Sequence, residues 1–205
     1  ELPYENLFAW LEGRADRPDP GDTPVFRPVM LAHPLEDGDL EKLTPSEWVT
    51  EWKWDGIRVQ ATSEIGTRRL YSRTGDDIGK SFPDLLDAMD FEGSIDGELL
   101  VGQPDRNGHI EIGSFGDLQQ RLNRKTVPKK LLQSHPVFVR AYDLLADDDE
   151  NLRPLPFKQR RIRLEAFLPK LDPERFDLSP LIQLENWDDI VKARDNPPHP
   201  IIEGV

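Results

Sequence analysis

The sequence has no cysteine. That excludes disulfides, thiolate metal sites and cysteine nucleophiles, and nothing else in the chain asks for an oxidising compartment. No run of about 18 apolar residues is present and no charged-then-apolar leader opens the chain, so neither a membrane span nor a secretion signal is visible. The expectation is a soluble, intracellular (cytoplasmic) protein. Histidine is scarce: His33, His109, His135 and His199 are scattered and form no metal-binding pattern. Basic residues fall short of acidic ones, 26 Lys and Arg against 39 Asp and Glu, for a net charge of −13. This is the wrong sign for a self-sufficient nucleic-acid-binding module. The chemistry must come from lysine, carboxylates or histidine.

What basic charge there is clusters at Arg68-Arg69, Arg121 to Lys130 and Lys158 to Arg163, while Asp147 to Glu150 concentrates acid in one expected loop. Each cluster reads equally well as a solvated helix or strand face. With 205 residues the chain is long enough for one well-buried domain.

Residues 1 to 24 hold an aromatic stretch, Tyr4 to Leu11, and then a Pro/Asp/Gly-rich run from Arg14 to Pro24 that reads as a linker. The domain proper is expected to span residues 25 to 205. From Trp48 to Thr62 the pattern is strand, tight turn, strand: Ile57, Val59 and Ala61 alternate with Arg58, Gln60 and Thr62, and Asp55-Gly56 is a turn pair. Further strands are expected over Arg68 to Arg73, Ser94 to Val101, Val137 to Leu145, Leu181 to Leu184 and from Ile201. Helices are expected over Phe82 to Met89, behind a capping box at Ser114 and Asp117, from Pro156 to Leu168, and behind Asn186 to about Arg194. A Gly/Asn-rich loop runs through Gly108. Antiparallel-looking strands with interspersed helices, lacking strict alternation, make an α+β pattern.

The most informative segment is Glu51-Trp52-Lys53-Trp54-Asp55-Gly56-Ile57-Arg58, a lysine at a strand end followed by a turn and a strand carrying arginine. An amine nucleophile must be held rigidly, and a turn achieves that. Lysine in water has a pKa of about 10.4, so attack at neutral pH needs burial or neighbouring cations to favour the free amine. Trp52 and Trp54 could exclude water or be plain core. Arg58 could reach a ribose hydroxyl or phosphate, or pair with a surface carboxylate. The plain alternative for the whole segment is a hairpin with an exposed lysine.

Lys53 to Arg58 resembles the signature of the covalent nucleotidyltransferases: DNA ligases, RNA ligases and mRNA-capping guanylyltransferases. Further family motifs follow in order, with Ser72-Arg73, Asp96-Gly97-Glu98, Ala141 to Leu145 and Glu203-Gly204-Val205 each similar to one of them. Phe26 to Ala32, and Ser114-Phe115 with Leu118 to Arg121, resemble ATP-dependent DNA ligase adenylation domains and favour DNA over RNA ligases. The resemblance covers about residue 25 to the end. It implies an ATP-grasp-like nucleotidyltransferase fold of mainly antiparallel sheets flanked by helices.

By this resemblance Lys53 attacks the α-phosphate of ATP to form lysyl-AMP, and Mg²⁺ is the metal. Glu51 contacts the adenine amino group, Arg58 and Glu98 hold the ribose, Tyr142 stacks on the base, Arg73 lies toward the ribose and the nick phosphate, and Glu203 lies near the metal. Asp96 is read as serving only a strand turn. The implied partner is nicked double-stranded DNA with 3′-hydroxyl and 5′-phosphate ends, and the protein is expected to act as a monomer. The match stops within the Glu-Gly motif, so a later lysine-bearing motif and an OB-fold domain are expected beyond Val205, and the 205 residues alone are expected to label themselves slowly. An RNA ligase or capping-type enzyme, and a non-catalytic nucleotide- or DNA-binding module, are the competing functions.

Overall fold

The computed structural model describes residues 4–16, 24–32, 36, 38–103, 110–122, 124, 126–183 and 186–205. Most of the expected linker, the loop through Gly108 with His109, His33 and the end of the strand at Leu184 lie outside them. In chain order the elements are α1 (Tyr4–Leu11), β1 (Thr50–Glu51), β2 (Lys53–Trp54), β3 (Ile57–Glu64), β4 (Thr67–Ser72), α2 (Pro83–Asp87), β5 (Gly93–Val101), α3 (Phe115–Gln119) and α4 (Lys129–Ser134). There follow β6 (Val137–Asp147), β7 (Glu150–Asn151), α5 (Phe157–Phe167), β8 (Phe176–Leu178), β9 (Leu181–Ile182), α6 (Trp187–Asp195) and β10 (Ile202–Gly204).

The strands form one six-stranded sheet and two small ones. The large sheet has the order β4-β3-β5-β6, with β7 and β8 pairing different stretches of the far side of β6; every pairing is antiparallel except β6 with β8. β1 pairs only with β9, and β2 only with β10. This is the α+β fold of mainly antiparallel sheets expected from the pattern.

Two local signals act as read. The Ser114 hydroxyl accepts the Asp117 N–H while the Asp117 carboxylate accepts from the Ser114 N–H, a complete capping box, and the Asn186 side chain caps α6 through the Asp189 N–H. The helices supply Leu118 from α3, Leu85 from α2, and Leu164 and Phe167 from α5. Together with Val59, Leu70, Ile95, Leu99 and Val139 of the sheet, they form the main core.

Three features go beyond what the sequence pattern specified. The segment around Lys53 is no hairpin: β2 and β3 flank the Asp55-Gly56 turn but belong to different sheets, because each finds a longer-range partner. Gly56 is needed there for space, since a Cβ on it would sit 2.6 Å from the Leu99 carbonyl oxygen and 2.8 Å from Glu98 Cγ. The basic clusters are not uniformly solvated faces. Arg121 is fully buried, paired with Asp84 and donating to the Ser81 and His135 carbonyls, while Arg160 and Arg161 of α5 are also buried. Arg68 pairs with Asp90, Arg69 with Asp77, and Arg163 with Asp147 and Glu150. Arg121, Arg160 and Arg161 thus turn inward, while Arg68, Arg69 and Arg163 meet carboxylates nearer the surface. Last, the aromatic stretch at the start is the helix α1, which leaves Phe8, Trp10 and Leu11 exposed.

Candidate functional site

Where the end of the large sheet meets the two small ones, the backbone leaves a cavity of about 880 Å³. Its wall takes Arg58 from β3, Asp96 and Glu98 from β5, and Tyr142 and Asp143 from β6. Glu51 and Lys53 come from β1 and β2, Glu203 from β10, and Phe157 and Arg160 from α5. The end of β4 contributes Ser72, the turn after it Arg73 and Thr74, and the segment before β1 Met30, Leu31 and Ala32. All seven residues singled out from the sequence, Glu51, Lys53, Arg58, Arg73, Glu98, Tyr142 and Glu203, therefore line one cavity although they are scattered along most of the chain.

Lys53 begins β2, and Gly204 of β10 is its cross-strand partner, which brings Glu203 alongside. Lys53 Nζ and Glu203 Oε1 lie 2.6 Å apart, and the lysine side chain is 67% exposed. The burial expected to activate this amine is absent; what faces it is a carboxylate. Both flanking tryptophans line the cavity. Trp54 is also packing: its ring lies against Leu100, Phe138 and Ile201, with the Arg140 guanidinium 4.2 Å above it.

Arg58 and Glu98 face each other across the β3–β5 ladder, and so do Gln60 and Asp96. Asp96 is 1% exposed and belongs to no turn. Its two oxygens accept from Arg58 Nε at 3.1 Å and Nη2 at 2.6 Å, and Nη2 also donates to the Met30 carbonyl at 2.9 Å. So Arg58 is a partner of a buried carboxylate, and Asp96, read from the sequence as a turn residue, is what fixes the guanidinium in place. The Tyr142 ring lies 5.4 Å from that guanidinium, and burial, reinforced by Asp96, pushes its hydroxyl well above the usual tyrosine range.

Two of the three glutamates on the wall, Glu98 and Glu51, are perturbed. Burial raises Glu98 to about 8; Arg58 opposes this, and Asp96, Glu203 and Asp55 add to it. Burial raises Glu51 to about 7 against the pull of Arg161, whose Nη1 lies 3.5 Å away. Arg161 is itself held by Glu165 at 2.8 Å and by the Ser179 carbonyl at 2.9 Å. Arg73 is exposed at the rim, beside a turn tied by the Thr74 hydroxyl donating to Asp76 at 2.6 Å.

The sequence reading missed Asp143, Arg160 and Phe157. Arg160 grips Asp143 with two hydrogen bonds of 2.8 and 2.9 Å, and all three residues line the cavity. Nothing in their spacing links a residue of β6 to a helix that comes only after β7. Among the described residues no group of three or more His, Asp or Glu could chelate a metal on its own. Glu203, exposed beside the cluster that raises Glu98, suits a Mg²⁺ ion that arrives with phosphates, because Mg²⁺ keeps several waters and takes one or two carboxylates plus substrate oxygens.

Comparison with known proteins agrees with this geometry. The family profile described as ATP dependent DNA ligase domain matches residues 29–205. A "Probable DNA ligase" of Koribacter versatilis is 33% identical over 161 residues, covering 76% of this chain and 27% of that protein. "DNA ligase C1" of Mycolicibacterium smegmatis is 34% identical over 165 residues, covering 76% and 44%. Among solved structures, "mycobacterial DNA ligase D complexed with ATP and MES" superposes with a TM-score of 0.55 at 26% identity, covering 77% of this chain and 48% of that one. The chain thus spans less than half the length of these relatives.

Proposed function

Because the chain belongs to the ATP-dependent DNA ligase domain family, we propose that residues 25–205 are the adenylation core of an enzyme that seals nicks in double-stranded DNA, with residues 1–24 leading into it. The observation that carries this reading is the convergence on one cavity of a strand-borne lysine, a fixed arginine, two half-buried glutamates and a tyrosine. The cavity volume is that of a small-molecule site, and its lining mixes aromatic and charged groups suited to a base, a ribose and phosphates.

In the first step the free amine of Lys53 attacks the α-phosphorus of ATP. The N–P bond forms, the bond to the bridging α–β oxygen breaks, and pyrophosphate leaves. In the second step AMP passes from Lys53 to the 5′-phosphate at the nick; in the third the 3′-hydroxyl displaces AMP and closes the backbone. Glu51 reads the adenine amino group, Tyr142 stacks on the base, Arg58 and Glu98 hold the ribose, and Arg73 reaches toward the ribose and the nick phosphate. Arg58 comes to that task already oriented by Asp96, so no side-chain search accompanies binding. Mg²⁺ held by Glu203 would neutralise charge on the phosphates.

The Glu203 carboxylate, 2.6 Å from Lys53 Nζ, is placed to orient the amine before the nucleotide enters. In the full-length protein, Lys53→Ala should abolish labelling by α-labelled ATP and ATP-dependent sealing, yet retain some sealing of a pre-adenylated nick. Undiminished labelling would overturn the assignment. Labelling by GTP in place of ATP would redirect it to a capping-type enzyme.

A further inference from the structure

Residues 24–32 form no strand, yet they cross the polar face of β3 in a fixed register. The Val25 N–H donates to Glu64 at 3.1 Å, and the Arg27 side chain pairs with the same carboxylate. Closer to the cavity along β3, Gln60 binds the Arg27 backbone at both ends: its Oε1 accepts the Arg27 N–H at 2.8 Å and its Nε2 donates to the Arg27 carbonyl at 2.7 Å. Arg58 then takes the Met30 carbonyl at 2.9 Å. Glu64, Gln60 and Arg58 share one face because strand side chains alternate. They act as a ladder of side-chain partners for a segment that has no neighbouring strand.

Gln60 is 1% exposed and is the middle rung. Its amide is kept in place from below: the Thr62 hydroxyl lies 3.4 Å from Oε1 and 2.8 Å from the Ser94 hydroxyl. A buried amide satisfied at both ends sets register, since a one-residue slip would leave Gln60 and the Arg27 backbone unpaired in the interior. Beyond this rung the strap becomes part of the cavity, where Met30, Leu31 and Ala32 form its wall.

We propose that Gln60, which touches no part of the cavity itself, is a positioning residue for the nucleotide site: it fixes the register of residues 24–32, and thereby places Met30 to Ala32 against the ligand and the Met30 carbonyl against Arg58. The inference rests on the reading of the cavity as the ATP site.

The test is steady-state nick sealing by the full-length protein at saturating DNA and Mg²⁺, with ATP varied, for wild type, Gln60→Met and Gln60→Glu. Gln60→Met keeps the length of the side chain but loses both bonds, and should raise KM for ATP at least about tenfold, with kcat at saturating ATP kept within a few-fold. Gln60→Glu keeps an acceptor for the Arg27 N–H and loses the donor, and should fall between. A role confined to stability would lower Tm and the active fraction, hence kcat, and leave KM alone. An unchanged KM in Gln60→Glu, or in both variants, overturns the inference, and the Glu variant decides it should the Met variant not fold. If wild type itself shows no dependence on ATP, the failure lies with the reading of the cavity.

Discussion

On one wall of the cavity Arg58, Asp96, Glu98 and Tyr142 sit on strands of the six-stranded sheet, while opposite them Lys53 and Glu203 sit on strands of two and three residues that pair only with each other. The charged pair on the first wall is buried and bidentate; that on the second is a single contact with Lys53 67% and Glu203 47% exposed. Under the proposed roles, groups that hold a ligand gain from being immobile before it arrives, whereas a nucleophile gains from weak attachment. The division of labour follows from where in the sheet each residue lies.

The sharpest way to break this contrast is to cut both pairs. Asp96→Ala leaves the Arg58 guanidinium half-buried and unpaired, and should cost about 3–5 kcal/mol of unfolding free energy in urea titration, as removal of one partner of a buried pair does. Glu203→Ala, cutting the exposed pair, should cost less than about 1 kcal/mol. Equal costs would mean that the two walls are not mechanically different.

A second test concerns binding alone. Tyr142→Ala should weaken ATP binding by about 1–3 kcal/mol in calorimetric titration, the range for aromatic stacking on nucleic-acid bases. Unchanged affinity would make Tyr142 a packing residue for Arg58.

Glu51 sharpens the comparison, because it stands on a two-residue strand yet is half-buried against Arg161. Its folded pKa, about 7, lies above the ordinary value of 4.5. The native state therefore favours its protonated form, and the stability it contributes is fully present below about pH 4.5 and lost as pH rises through 7. Glu51→Gln should remove that part of the slope, on the order of 1–3 kcal/mol between those limits, in Tm measured against pH. Glu98, raised to about 8, should sustain a residual slope in the variant. A variant slope equal to that of wild type would show that Glu51 is ionised throughout.

Much of this site was legible because its residues announce themselves locally. A lysine followed by a turn and an arginine, an Asp-Gly-Glu run in a strand and an aromatic strand are short, contiguous patterns, and each specifies its own backbone. The capping box at Ser114 and the cap at Asn186 were readable for the same reason, since a cap joins residues three positions apart. From such patterns the sequence by itself determined the α+β class and the order of most elements, while the seven residues that share the cavity were picked out by the resemblance of those motifs to the covalent nucleotidyltransferases.

Only the tertiary structure decided what those residues touch. That Asp96 grips Arg58, that Arg160 grips Asp143, that Arg121, Arg160 and Arg161 turn inward, and that β2 pairs with β10 rather than β3 all depend on partners brought together from distant positions. A charged side chain reads the same in sequence whether it ends in water or against a buried carboxylate, and a two-residue strand carries too few residues to name its neighbour. Those choices are made when the sheet closes and the alternatives to each pairing become unpaired charge or unpaired backbone in the interior.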